Sequence, residues 1–213
     1  MERAKFITFE GGDGSGKSTL IAKVVQHFKS HNQPFITTRE PGGTPIAEKI
    51  RNLILGPDAL TPLAELLLYE AARAEHVEDT IRPALNKNIH VLCDRFTNST
   101  VAYQGYGRGL GVKLVTDLNE LATQGLEPDC VVWLKLPADQ ARRRSSRRGE
   151  QNRIDKEKAA FHESVYGAFL KMASERPEHF IVLNASLSPE QVFSDLVSHS
   201  RWKQLFSLEK PSL

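Results

Sequence analysis

The residues best placed to do chemistry open the chain. Gly11-Gly12-Asp13-Gly14-Ser15-Gly16-Lys17-Ser18 fits the pattern G-x-x-x-x-G-K-[ST]. Glycines at Gly11, Gly12, Gly14 and Gly16 can take positive φ and let a ligand approach the backbone closely. Phe6–Phe9 reads as a short buried strand, and Leu20, Ile21, Val24, Val25 and Phe28 recur at helical spacing. The loop therefore lies between a strand and a helix N-terminus, where backbone N–H groups and the helix dipole face a phosphate. Lys17 is expected to reach the β- and γ-phosphates of a nucleotide, and Ser18 to hold Mg²⁺.

Other polar residues sit directly after apolar runs. Arg39, Asp94 and Arg95 each follow a strand-like stretch, so all are expected over the same sheet edge as the glycine loop. A guanidinium fork binds a phosphate bidentately, and two of them beside a phosphate loop suggest a second phosphorylated ligand. Asp94 ends its strand as an acid that holds Mg²⁺ through water would. Tyr69 and Arg73 are four apart on a helix and share a face. They could stack on a base and bond its edge, or be a core tyrosine beside a solvated arginine, and spacing alone favours the second. Ala141–Arg153 holds six arginines against one glutamate. Such a run is a solvated basic face, an RNA-type patch or, near a nucleotide, a phosphate clamp.

Those residues need a frame. Strand-like runs fall at Phe6–Phe9, Phe35–Thr38, Ile89–Cys93, Cys130–Leu136 and Phe180–Leu183. Helical patterns fall at Ser18–Lys29, Pro45–Leu55, Pro62–Asn86, Val112–Gln124, Pro137–Arg144, Lys156–Arg176 and Pro189–His199. Strands alternating with helices predict right-handed crossovers and a five-stranded parallel sheet in a three-layer α/β domain. Ligands bind at the carboxyl ends of such strands. The 213 residues suit one domain, and 28 Lys plus Arg against 26 Asp plus Glu, net +2, gives no support to bulk nucleic-acid binding. No apolar run is long enough to span a bilayer and the start carries no apolar leader. Cys93 and Cys130 fall in apolar runs and read as buried reduced thiols of a cytosolic chain.

Taken together, "FEGGDGSGKST", "TREPGGT", "LLLYEAAR", "DRFTNSTVAYQG" and "NRID", in this order, resemble the thymidylate kinase family from about Phe6 to about Ser186. The resemblance implies a P-loop nucleoside monophosphate kinase fold over residues 1–213, with an arginine-rich lid at about 141–155 and a polar tail at about 205–213. It implies the reaction ATP + dTMP = ADP + dTDP with Mg²⁺, in a cytoplasmic homodimer that binds neither nucleic acid nor membrane. Gly11, Gly12, Asp13, Gly14, Ser15, Gly16, Lys17, Ser18 and Thr19 then hold the ATP phosphates, and Asn184 lies by the adenine. Glu10 lies near the dTMP sugar, Arg39 and Arg95 hold its phosphate and the transferring group, and Tyr69 stacks on thymine. Arg73 and Gln104 contact the base, Ser99 and Thr100 lie beside it, and Tyr103 lies under the deoxyribose. Arg153 matches the lid arginine, with Arg147 and Arg148 nearby. The loop carries Asp13 and no arginine while the lid is rich in arginine, a pairing that resembles the bacterial subtype, in which the lid supplies the catalytic arginine. Tyr69, Asn152 and Phe96 stand where the family more often has Phe, Asp, and Tyr or His. The rival readings are another P-loop nucleotide or deoxynucleoside kinase, and an ATP-driven RNA-binding switch.

Overall fold

A computed structural model describes residues 3–146 and 152–206. The strands are β1 (Phe6–Glu10), β2 (Phe35–Arg39), β3 (His90–Asp94), β4 (Cys130–Lys135) and β5 (Phe180–Asn184), all parallel in the order β2-β3-β1-β4-β5. The helices, in chain order, are α1 (Lys17–Ser30), α2 (Pro45–Leu55), α3 (Pro62–His76), α4 (Arg82–Asn86), α5 (Thr97–Thr100), α6 (Val112–Thr123), α7 (Ala138–Ser146), α8 (Ala159–Glu175), α9 (Pro189–Ser198) and α10 (Ser200–Leu205).

Side-chain alternation shows why the sheet is covered twice. Ile7, Phe9, Leu92, Val132 and Leu134 pack with Leu20, Val24 and Phe28 of α1 and Val192 and Leu196 of α9. Their strand neighbours point the other way: Val131 and Trp133 meet Val165 and Phe169 of α8, while Phe6, Val91 and Cys93 meet Val77, Ile81 and Phe96. Strands buried on both faces read as continuous apolar runs, which is the pattern seen in the sequence. Between β3 and β4 the chain crosses from one side of β1 to the other. The carboxyl ends of β1, β2 and β3 thus open on one crevice.

Helix starts are set locally. Thr44, Thr61 and Ser188 accept from the backbone N–H three residues on, each followed by a proline in the first turn. The helices depart from the sequence expectation at three places. The stretch 62–86 is interrupted by a wide π-helical turn at Val77–Ile81. Pro83 lies just beyond that turn; it has no N–H to donate, and its ring would crowd the carbonyl four residues back. A second wide turn, Val101–Gly107, follows α5 and carries Tyr103 and Gln104. Past α9 the chain forms α10, whose Trp202 is buried against Phe28 and Phe206.

Candidate active site

The phosphate loop has the expected place between β1 and α1. Gly16 caps α1 at φ 94, and Gly11 lies at φ 141, where a Cβ would come within 2.9 Å of the Leu134 carbonyl. Both positions need glycine. Buried Lys17 folds its ammonium onto the Gly11 carbonyl at 3.0 Å, 4.0 Å from Asp94. Burial and the neighbouring Arg95 charge hold its pKa below the usual lysine value. Asp94 Oδ1 is buried without a hydrogen-bond partner. Ser18 and Thr19, in the first turn of α1, are exposed. Arg39 reaches the rim and is held there by both oxygens of Glu48 at 3.0 Å.

Arg95 stands at the junction. Its backbone takes φ 70, a left-handed conformation uncommon outside glycine, and its N–H bonds the Phe9 carbonyl across the β1/β3 rim. That geometry turns the guanidinium inward. It donates to Asp13 at 3.0 Å and Ser99 at 3.2 Å and lies over the Tyr103 ring at 5.2 Å. Burial would raise the Asp13 carboxyl, but the Arg95 and Lys17 charges hold it well below the carboxylate range. Glu10 is fully buried and accepts from Phe96 N at 2.8 Å and Ser99 Oγ at 2.6 Å. Burial outweighs those bonds and pushes its pKa up to about 7.

A second cleft opens beyond Arg95, with Tyr69, Arg73, Ser99, Thr100, Tyr103 and Gln104 in its walls. Arg73 is not solvated, as the spacing suggested, but 2% exposed. It donates to Glu40 at 2.8 Å, Glu70 at 3.0 Å, Asn119 at 2.7 Å and Thr100 at 2.8 Å. A buried guanidinium needs such partners. Glu40, Thr100 and Asn119 lie far off in the chain, so helix spacing could reveal only Glu70, one turn back. Gln104 is buried with its amide nitrogen 2.8 Å from Glu65, and Tyr69 is half-buried at the cleft wall.

The two clefts meet. Asp13, Glu40, Arg51 and Arg95 line both. Arg51 was missed in the sequence because it projects from α2, not from a strand end; its Nη1 bonds the Pro41 carbonyl at 2.8 Å. Glu65 and Arg108, in ion contact at 3.0 Å, were also missed. Nothing local singled out Glu65, because the buried side of α3 also carries Glu70, Arg73 and His76.

Some expected residues lie elsewhere. The structure does not bring Arg153 to the phosphate loop: its Nη2 donates to Glu65 at 2.6 Å and to the Ile54 carbonyl at 3.1 Å. That pairing desolvates both partners and places the arginine behind the second cleft. Asn184, at the end of β5, turns its amide oxygen onto Ser186 and lines neither cleft. Arg147 and Arg148, and the tail beyond Phe206, lie outside the described residues.

Comparison with known proteins gives a consistent picture. The family model for thymidylate kinase matches residues 9–196. A thymidylate kinase of Finegoldia magna is 47% identical over 194 residues, covering 90% of this chain and 95% of the relative. One from Synechococcus sp. (strain JA-3-3Ab) is 44% identical over 206 residues, covering 97% of this chain and 100% of the relative. Among solved structures, the thymidylate kinase of Ehrlichia chaffeensis superposes with a TM-score of 0.73 at 32% identity, covering 92% of this chain and 98% of that one.

Proposed function

The chain belongs to the thymidylate kinase family and phosphorylates dTMP with ATP as donor; on that premise we propose that ATP lays its phosphates on the Gly11–Ser18 loop. dTMP then lies in the adjoining cleft, with its base toward Arg73 and Gln104 and its phosphate toward Arg95. The observation that carries this reading is the sharing of Asp13, Glu40, Arg51 and Arg95 by the two clefts. A phosphate held at Arg95 faces the end of a triphosphate held at Lys17.

Phosphoryl transfer asks the protein for in-line placement and for positive charge around the moving group. The acceptor is a phosphate dianion, so its repulsion from the γ-phosphate must be screened. Lys17, Arg39, Arg51 and Arg95 supply that charge. A phosphate oxygen is already a nucleophile at neutral pH, so no carboxylate is needed as a base. Asp13 instead orients the Arg95 guanidinium, with the Tyr103 ring beneath it. Arg153 is assigned to the base end through Glu65.

Mg²⁺ is the proposed ion. Ser18 offers a hydroxyl at the loop, and Asp94 presents a buried carboxylate oxygen without a partner in the same cleft. Among the described residues no group of three or more His, Cys, Asp or Glu is placed to hold a metal ion by itself. An ion there would take most of its ligands from phosphate and water, as Mg²⁺ does, and would neutralise phosphate charge.

A homodimer is the proposed assembly. Ile46 and Leu53 of α2, Leu63 and Leu67 of α3, and Leu114 and Leu121 of α6 are all exposed. An apolar face of that kind on packed neighbouring helices is the mark of a protein interface. The cytoplasm is the proposed compartment, since Cys93 and Cys130 are buried free thiols, the second pushed up to about 11 by burial. Among the described residues no helix is long and apolar enough to cross a membrane.

Binding of dTMP and of thymidine to the wild type and to Arg95→Ala tests the placement. The wild type should hold dTMP about 10–100-fold more tightly than thymidine, and the variant should lose that margin, as loss of a charge-assisted hydrogen bond requires. An unchanged margin in the variant would remove the acceptor phosphate from Arg95.

A further inference from the structure

Behind the base cleft, α3 carries a carboxylate for which phosphoryl transfer has no use. Glu65 is fully buried, one turn before Tyr69. Its Oε1 accepts from Gln104 Nε2 at 2.8 Å and Arg108 Nε at 3.0 Å. Its Oε2 accepts from Arg108 Nη2 at 3.1 Å and Arg153 Nη2 at 2.6 Å. These donors fill the acceptor sites of a carboxylate. Burial would raise its pKa, but the bonds from Arg108, Gln104 and Arg153 hold it below the usual value. At neutral pH Glu65 is therefore ionised and can only accept. Arg108 is itself fixed, bonded to Glu157 at 2.6 Å and lying over the Phe161 ring at 4.8 Å.

The consequence falls on Gln104. A carboxamide has a donor end and an acceptor end of nearly equal shape. An ionised carboxylate binds only the donor end. The amide nitrogen of Gln104 therefore faces Glu65, and the amide oxygen is left for the cleft. Arg73, in the same cleft wall, keeps one Nη2 hydrogen beyond its bonds to Glu40, Glu70, Asn119 and Thr100. An acceptor beside a donor matches a pyrimidine edge with N3–H and a keto O4. It opposes cytosine, which presents an acceptor at N3 and an amino donor at C4.

Resting on the reading of this cleft as the base site of dTMP, we propose that Glu65 is a positioning residue: it sets the polarity of the Gln104 amide and so selects thymine and uracil over cytosine. It touches no substrate and acts through one hydrogen bond.

The test compares kcat/KM for dTMP and dCMP in the intact wild-type enzyme and in Glu65→Gln. The substituted side chain has the same shape but can donate as well as accept, so Gln104 is released to reverse. The dTMP-to-dCMP ratio should fall at least about tenfold, mainly through a higher KM for dTMP, with kcat at saturating dTMP changed less than about threefold. A purely structural role would lower both acceptors alike, so a ratio kept at the wild-type value overturns the proposal. A wild type that does not prefer dTMP to dCMP overturns the placement of the base, and the role of Glu65 with it. Should the variant not fold, the wild type labelled with ¹⁵N-glutamine answers instead. The Gln104 side-chain amide protons should exchange slowly with water in the free enzyme, and exchange at the rate of an exposed amide overturns the assignment.

Discussion

At Glu10 a carboxyl group is closed off from water beside two cations, and its titration is displaced. With a folded pKa of about 7 against 4.5 in the open chain, the folded state keeps its proton longer than the unfolded state. Below about pH 4.5 both states hold the proton and the site costs nothing. As pH rises toward 7 and above, the unfolded chain has released it and the folded chain must ionise a buried group, so stability falls. Urea unfolding at pH 4.5 and pH 8 should show the wild type losing about 3 kcal/mol relative to Glu10→Gln. Parallel pH profiles for the two proteins would show that Glu10 is not held in this way. Single residues were legible where chemistry coincided with a strand end or with the glycine loop: Lys17, Arg39, Asp94 and Arg95 all line the cleft at the sheet rim. The sequence did not disclose that Arg73 is buried, because its partners Glu40, Thr100 and Asn119 are distant in the chain. Nor did motif order disclose that Arg153 pairs with Glu65 instead of pointing at the phosphates.

The elements were read well where local chemistry defines them. Each of the five strands begins within one residue of its expected start and ends within one, because the apolar runs that form them have abrupt polar limits. Threonine or serine followed by proline marked the starts of α2, α3 and α9. The wide turns at Val77–Ile81 and Val101–Gly107 were not legible, since helical periodicity does not register one added residue per turn. The second turn matters to the site. Its Gly107 lies so close to Phe161 that a Cβ would fall 2.6 Å from the ring, and Phe161 underlies Arg108. On the outer side, α2, α3 and α6 present the apolar face assigned to dimerisation. Leu121, 74% exposed in the single chain, is the most open of its large apolar residues. A charge placed there without a partner would have to be desolvated in the interface. Sedimentation equilibrium should therefore show a dimer for the wild type and, for Leu121→Glu, a dissociation constant raised about 100-fold or more. Equal dissociation constants, or a monomeric wild type, would exclude this face.

Over the whole molecule, the order β2-β3-β1-β4-β5 brings the ends of β1, β2 and β3 together, so residues distant in sequence share one rim. The phosphate loop follows β1, Arg39 ends β2, and Asp94 and Arg95 close β3. α3 and the Val101–Gly107 turn then build a second cleft against that rim. In the proposed arrangement the two nucleotides lie end to end, with their phosphates meeting between Lys17 and Arg95. Titration of the intact protein with adenosine and thymidine joined 5′ to 5′ through a phosphate chain of matching length tests it most directly. One such molecule should bind per chain, about 100-fold or more tighter than either ATP or dTMP alone, and should displace both. An affinity no better than that of the tighter half, or displacement of only one nucleotide, would contradict the account.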